Sequence, residues 1–369
     1  MLPELENHPE LLEFQKEKIS KGILTKLSKI EGLRHYQQVA AREGNSFHVA
    51  SIGENHLNQI IYFEITKTGD LARVFLEKEG KVARIFIGTD QRLWTILDCL
   101  ATKKELEIIL PLRNRKGLKK PKKIPAFTGE WLGNSKDVVC FQMIDFFENK
   151  PDKLCTLEFN RDGLIRKKLF KLPFPNKNYI YLEKQGYLQL LAEDNNNKWL
   201  HRRTNINGVL IKERTLDLGI GLFAHLRLSF NGVSEVLNAY GNFLALLIVQ
   251  PNRTVEAHPL FQLEPNENFY NLSPATYLKE ATYLVRFTTS SGNGWAIIQH
   301  GELVECFLYE VDLGVYKDLV SGTVLELPKS GEYLISGASA TFDGGYQVTL
   351  TYNGEESKEI LIFSREKFL

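Results

Sequence analysis

A polar turn returns along this chain at nearly constant spacing, with β-prone residues on both sides each time. The marks are Thr68-Gly69, Lys116-Gly117, Asp162-Gly163, Asn207-Gly208, Pro251-Asn252, His300-Gly301 and Asn353-Gly354. From one mark to the next the second residue advances by 48, 46, 45, 44, 49 and 53 positions. Gly or Asn at such a turn suits a backbone that must visit positive φ, as tight hairpins require. A strand-built unit of this length cannot bury its own apolar face. The period therefore predicts a β-propeller or a related array, in which neighbours shield one another.

The strand pattern around the marks agrees. In the third unit Leu154, Thr156 and Glu158 alternate with Cys155, Leu157 and Phe159, and the run from Leu164 to Phe170 continues after the turn. Both sets carry apolar residues, as a sheet packed between two neighbours needs. Further strands are expected at Val138–Ile144, Tyr179–Leu182, Leu188–Ala192, Leu226–Phe230, Phe243–Val249, Thr282–Phe287 and Tyr333–Ile335. Phe243–Val249 reads FLALLIV, the continuous apolar run of a strand covered on both faces. No Trp-Asp dipeptide closes a repeat, and no kelch-type glycine pair recurs at one phase. The array over residues 46–369 divides into seven units of about 46 residues, so the expectation is a seven-bladed propeller, with six blades as the rival. An irregular β-sandwich is the competing fold.

Residues 10–31 read differently. Leu12, Ile19, Ile23, Leu27 and Ile30 fall near helical spacing among Lys16, Lys18, Lys21, Lys26 and Lys29. This predicts an amphipathic helix in an N-terminal segment, 1–43, ahead of the β domain. Gly22 weakens such a helix by roughly 1 kcal/mol. The segment holds seven acidic and seven basic residues. That balance argues against attachment to an anionic membrane.

Composition narrows the partners. A net charge of +1 exerts no long-range pull on nucleic acid or membrane. No apolar run approaches the ~18 residues that span a bilayer. Cys99, Cys140, Cys155 and Cys306 lie far apart and form no metal or disulfide framework. With no leader pattern visible, a cytoplasmic location is expected, and the sequons at Asn252 and Asn271 carry no weight there.

The chemistry-bearing motifs fail in context. Gly219-Ile-Gly221-Leu-Phe-Ala224 matches a dinucleotide fingerprint, but Asn231-Gly232 breaks the chain before a crossover helix is complete. A connection between repeats explains it. Gly337-Ala-Ser339-Ala-Thr341 lacks the second glycine of a nucleophile elbow. His300-Gly-Glu302 has no Pro-Cys-x-x-Cys partner and occupies a turn mark. His201, His258 and His300 share no phase, which removes a symmetric metal ring, and Glu193–Asn197 lacks the spacing of a calcium loop. Trp94, Trp131, Trp199 and Trp295 differ in phase and read as core. No cofactor and no metal are expected.

One anomaly is left. Arg113, Arg115, Lys116, Lys119, Lys120, Lys122 and Lys123 put seven cations within eleven positions, with no acid among them. A second basic run, Arg166, Lys167, Lys168, Lys171 and Lys177, follows one repeat later. The bland reading is a solvated loop; the functional one is contact with nucleic acid or another polyanion. The leading reading of the whole chain is a non-catalytic protein-interaction module, a scaffold or assembly subunit, acting through loops at one end of the array. The enzyme reading is a hydrolase or lyase on a carbohydrate or other small substrate, for which Asp90, Asp145, Asp217 and Asp312 are the acids to inspect.

Overall fold

Short β-prone runs broken by polar turns build one kind of element. The computed structural model describes strand backbone between Glu13 and Arg365, with side chains for most residues from 187 to 365. In chain order, β1 (Glu13–Ile19) and β2 (Gly22–Ser28) form a hairpin. The first sheet follows, with β3 (Leu33–Ala41), β4 (Ser46–Gly53), β5 (Ile60–Thr66) and β6 (Leu71–Glu77). The second holds β7 (Lys81–Ile87), β8 (Leu93–Asp98), β9 (Glu105–Ile109) and β10 (Lys122–Pro125). The third holds β11 (Gly129–Ser135), β12 (Val138–Met143), β13 (Lys153–Asn160) and β14 (Gly163–Lys171). The fourth holds β15 (Asn178–Leu182), β16 (Tyr187–Glu193), β17 (Trp199–Asn205) and β18 (Leu210–Leu216). The fifth holds β19 (Leu222–Arg227), β20 (Ser234–Tyr240), β21 (Phe243–Val249) and β22 (Val255–Gln262).

The sixth sheet is larger. Its first position is split between β23 (Phe269–Leu272) and β24 (Thr276–Tyr277), both paired to β25 (Thr282–Thr289). It continues through β26 (Asn293–Gln299), β27 (Glu302–Glu310), β28 (Val315–Asp318) and β29 (Val324–Glu326). The seventh begins with β30 (Tyr333–Ala340), β31 (Tyr346–Tyr352) and β32 (Ile360–Arg365), and β2 then β1 complete it.

The described strands thus make seven sheets, every pairing antiparallel. First strands approach first strands: β3 lies near β7, β11 near β15, β15 near β19 and β19 near β23. β30 lies near β3, so the succession returns to its start. Six of the seven turn marks fall between the third and fourth strands of a sheet; the seventh, Asn353-Gly354, falls between the second and third strands of the last. That sheet takes its fourth strand from the other end of the chain.

Successive residues of one strand serve different cores. On β20, Val236 packs with Trp199, Phe223 and Leu247 between the fourth and fifth sheets, while Leu237 joins Leu246, Val285 and Ile298 between the fifth and sixth. On β27, Cys306 belongs to that second core and Phe307 to a third, with Trp295, Tyr316, Val348 and Phe363 between the sixth and seventh. Each buried side chain of this size contributes about 1.5–3 kcal/mol, and two-sided burial doubles the yield per strand. The run Phe243–Val249 behaves as its pattern predicts: apart from exposed Phe243 at its start, the strand is buried or half-buried on both faces.

The helix expected over residues 10–31 is corrected to strands. The chain turns back between Ile19 and Gly22 and runs on as two strands, β2 pairing with β32 from Ile23↔Ser364 to Leu27↔Ile360. Helical spacing is a weak local preference, and a vacant place beside β32 overrides it. The rest of the 1–43 segment is also in sheet where it is described, since β3 pairs with β4.

β32 without β2 would be an open edge, and open edges pair with other chains. Deleting residues 1–32 is therefore expected to lower Tm by several degrees and to produce concentration-dependent self-association on a sizing column. A truncated monomer with the parental Tm would contradict the pairing.

Candidate protein-binding face

Antiparallel alternation sends the turn between the second and third strands, and the connection to the next sheet, to the same end of every sheet. Six of the seven turn marks lie at the opposite end. On the connecting end, side chains are described for four neighbouring segments: 217–221 after β18, 240–243 between β20 and β21, 263–268 after β22, and 289–292 between β25 and β26.

The segment 240–243 is a two-residue hairpin turn. Gly241 has φ 58°, the positive value that the first central position of a type II′ turn demands. Tyr240 and Phe243 are paired across it, so their side chains share one face of the sheet. They are 60% and 49% exposed. The turn is pinned from both directions. Phe269 N–H donates to the Gly241 carbonyl at 2.8 Å, and Leu263 N–H donates to the Asn242 carbonyl at 2.9 Å. Asn242 Nδ2 donates back to the Leu263 carbonyl at 3.1 Å.

Two more apolar side chains join this platform. Ile220, 70% exposed, has its carbonyl held at 3.3 Å by Asn238 Nδ2, two residues before Tyr240 on the same strand. The next residue must be glycine. Gly221 has φ 151°, and a Cβ there would meet Asn238 Nδ2 at 2.6 Å and the Ala239 carbonyl oxygen at 2.8 Å. Tyr270, 63% exposed, is the extra residue of a bulge, for Phe269 pairs with Thr289 and Asn271 with Thr288. The bulge re-aims its side chain while Phe269 stays in the core. Asn268 and Ser290 exchange two bonds at 3.0 Å, fixing the fourth segment to the third. Four exposed apolar side chains thus stand on neighbouring segments that hydrogen bonds tie together.

The buried polar groups hold sheets together. Arg214 Nε donates to His201 Nδ1 at 3.1 Å, so His201 carries its proton on Nε2 and donates it to Gln189 Oε1 at 2.5 Å. Gln189 Nε2 passes the chain to the Leu228 carbonyl at 2.8 Å, and Arg214 Nη2 reaches the Ser229 carbonyl at 2.7 Å. Phe230 stacks on the imidazole at 4.0 Å. These contacts tie the fourth sheet to the fifth. Burial first, then Arg214 and His225, pull the His201 pKa down to about 3. Between the sixth and seventh sheets Trp295 Nε1 donates to the Tyr346 hydroxyl at 3.1 Å, and Tyr346 donates to Glu305 Oε2 at 2.7 Å. Arg365 lies 2.9 Å from the other Glu305 oxygen. Burial, with Glu305 adding to it, pushes the Tyr346 phenol well above its ordinary range, so it acts as a neutral donor.

The residues singled out from sequence fall as follows. Arg113, Arg115, Lys116, Lys119 and Lys120 lie outside the described residues; Lys122 and Lys123 open β10, with register partners Ile108 and Glu107. β10 and β14, which carries Arg166, Lys167, Lys168 and Lys171, are the outermost strands of consecutive sheets. Asp90 and Asp145 also lie outside the described residues, while Asp217 and Asp312 stand on separate loops. Gly219 and Gly221 sit in the connection between β18 and β19, with a strand after them. His201 is buried, His258 lies exposed on β22, and His300 occupies its turn with φ 50°. Among the described residues no three His, Cys, Asp or Glu side chains gather as a metal site, and no helix is long and apolar enough to cross a membrane. Trp199 and Trp295 are core residues. Sequence reading missed Ile220, Tyr240, Phe243 and Tyr270, because an aromatic residue at a strand end looks the same whether the neighbouring sheet covers it or stops short.

No protein-family model matches this chain, and no curated protein matches it in sequence. Solved structures do resemble it. The β-propeller domain of the Trilobed protease from Pyrococcus furiosus aligns over 91% of this chain and 94% of its own at 10% identity and a TM-score of 0.52. A prolyl endopeptidase aligns over 91% of this chain and 49% of its own at 10% identity and a TM-score of 0.51. The WD40 domain of Toxoplasma gondii coronin aligns over 96% of this chain and 87% of its own at 8% identity and a TM-score of 0.47. The strand-only structure and its likeness to the Trilobed protease domain make the fold all-β and propeller-like, and at such identities likeness speaks to fold alone.

His201 gives this architecture a pH signature. Its folded pKa lies below the unfolded value near 6.5. Unfolding therefore takes up a proton between those values, and its contribution to stability, complete above pH 6.5, fades as pH falls toward 3. Unfolding free energies from denaturant titrations between pH 7 and 4 should decline by up to about 1.4 kcal/mol per pH unit from this group. In His201→Gln the decline should be shallower.

Proposed function

We propose that this chain is a non-catalytic protein-interaction module, a scaffold or assembly subunit of the cytoplasm, built as a seven-bladed propeller whose connecting end is the binding face. The observation that carries this reading is the set Ile220, Tyr240, Phe243 and Tyr270, each about half or more in solvent on segments that hydrogen bonds tie together. Exposed apolar side chains grouped in this way mark interaction sites, and tyrosine is among the residues that carry most binding energy at interfaces. A rigid platform also loses little conformational entropy on binding. The polar clusters described in the interior have packing partners and lie between sheets, which favours a binding role over a catalytic one.

The paired change Tyr240→Ser with Phe243→Ser tests the reading. Both side chains are exposed, so Tm should stay within a degree or two of the parent. Proteins cross-linked to the parent chain in host extract should be reduced at least tenfold with the variant. An unchanged cross-linking pattern would count against this face.

A second reading concerns the basic run. Lys122 and Lys123 open an outermost strand, and the next sheet carries Arg166, Lys167, Lys168 and Lys171 on the corresponding strand. This placement supports contact between the rim and a polyanion. Binding of single-stranded nucleic acid should then weaken steeply between 50 and 200 mM salt and be lost when Arg113, Arg115, Lys116, Lys119 and Lys120 become Gln. A flat salt response retires the idea.

A further inference from the structure

The same face has a sign. The segments 217–221, 240–243, 263–268 and 289–292 read DLGIG, YGNF, LEPNEN and TSSG. They contain Asp217, Glu264 and Glu267 and no lysine or arginine. Asp217 and Glu264 are exposed and Glu267 is half-buried. Loop geometry places the acids beside the apolar row: Asn242 Nδ2 lies 3.5 Å from the Glu264 carbonyl, and Glu267 N–H donates to that carbonyl at 2.9 Å. Asp217 is three residues before Ile220 in a connection anchored by Trp199 Nε1 on the Gly219 carbonyl at 3.2 Å. The adjoining turn of the fourth sheet brings Lys198, which Glu193 at the end of β16 offsets, so the balance stays negative.

We infer that the partner of this face is a lysine- or arginine-bearing polypeptide segment that lays an apolar residue onto the Tyr240–Phe243 pair and its cations against Asp217, Glu264 and Glu267. The inference rests on the protein-binding reading above and specifies its partner. Two physical effects favour this occupant. Exposed aromatic rings attract ammonium and guanidinium groups through their negative faces. Acids on segments that carry no lysine or arginine disfavour acidic partners and speed the approach of basic ones. An anionic or purely apolar segment would gain the rings and forgo or oppose the charge.

The probe is a phage library of random 12-residue peptides, selected on the full chain and counter-selected on the Tyr240→Ser, Phe243→Ser variant. Enriched sequences are expected to carry net charge of about +2 or more beside an aromatic or aliphatic anchor. Synthetic copies should bind about tenfold more weakly to Asp217→Asn with Glu264→Gln and Glu267→Gln, which three exposed ion pairs allow. They should also weaken as salt rises from 50 to 300 mM. Asp217 and Glu264 are exposed and Glu267 is half-buried, and an unaltered Tm confirms that each variant is folded. Enrichment of neutral or acidic peptides that still need Tyr240 and Phe243 overturns the cationic partner and leaves the binding face standing. Enrichment that is indifferent to Tyr240 and Phe243 overturns both.

Discussion

A strand with apolar residues on both faces must find two neighbours, and nearly everything in this molecule follows from that demand. Val236 and Leu237, adjacent on β20, are both fully buried yet belong to different cores. Cys306 and Phe307 on β27 repeat the arrangement one sheet later. No sheet of this kind is stable alone, because half of its apolar surface would face water. Stacking in sequence solves the problem for the middle sheets. The ends of the chain solve it for the last, where β2 takes the place beside β32.

Polar groups are divided by depth. Inside, Gln189, His201 and Arg214 fix the fourth sheet to the fifth, and Trp295, Tyr346, Glu305 and Arg365 fix the sixth to the seventh. Burial raises the cost of leaving such groups unpaired, so each network also selects one relative position of its two sheets. At the connecting end, hydrogen bonds are spent on backbone. Gly241, Asn242, Leu263 and Phe269 hold one another, and the side chains between them are left to solvent. Exposed apolar side chains there stand beside backbone that hydrogen bonds hold, a combination suited to recognition.

Local signals reached as far as the strands and their turns. Phe243–Val249 was legible as a two-sided strand because seven consecutive apolar residues leave no polar face. Asn207-Gly208 and His300-Gly301 were legible as hairpin turns because each needs positive φ. β19 was harder: its true span, Leu222–Arg227, includes His225 and is offset from the expected Leu226–Phe230, since Ser229 and Phe230 turn back to contact Ser234 and His201. The N-terminal segment misled for a related reason. Ile23 and Leu27 fit a helix by spacing, whereas their place is set by a strand more than three hundred residues away.

Beyond the N-terminal segment the sequence by itself determined the element type, the period and the absence of a recognisable cofactor motif, because these depend on side-chain alternation and turn chemistry within a few residues. Tertiary structure alone decided which strand completes the last sheet and which exposed side chains meet. Ile220, Tyr240, Phe243 and Tyr270 come from four elements, and the hydrogen bonds between Asn238 and Ile220 and between Gly241 and Phe269 tie their segments together. A contact between residues distant in the chain leaves no local pattern to read, since neither partner's own neighbours require it.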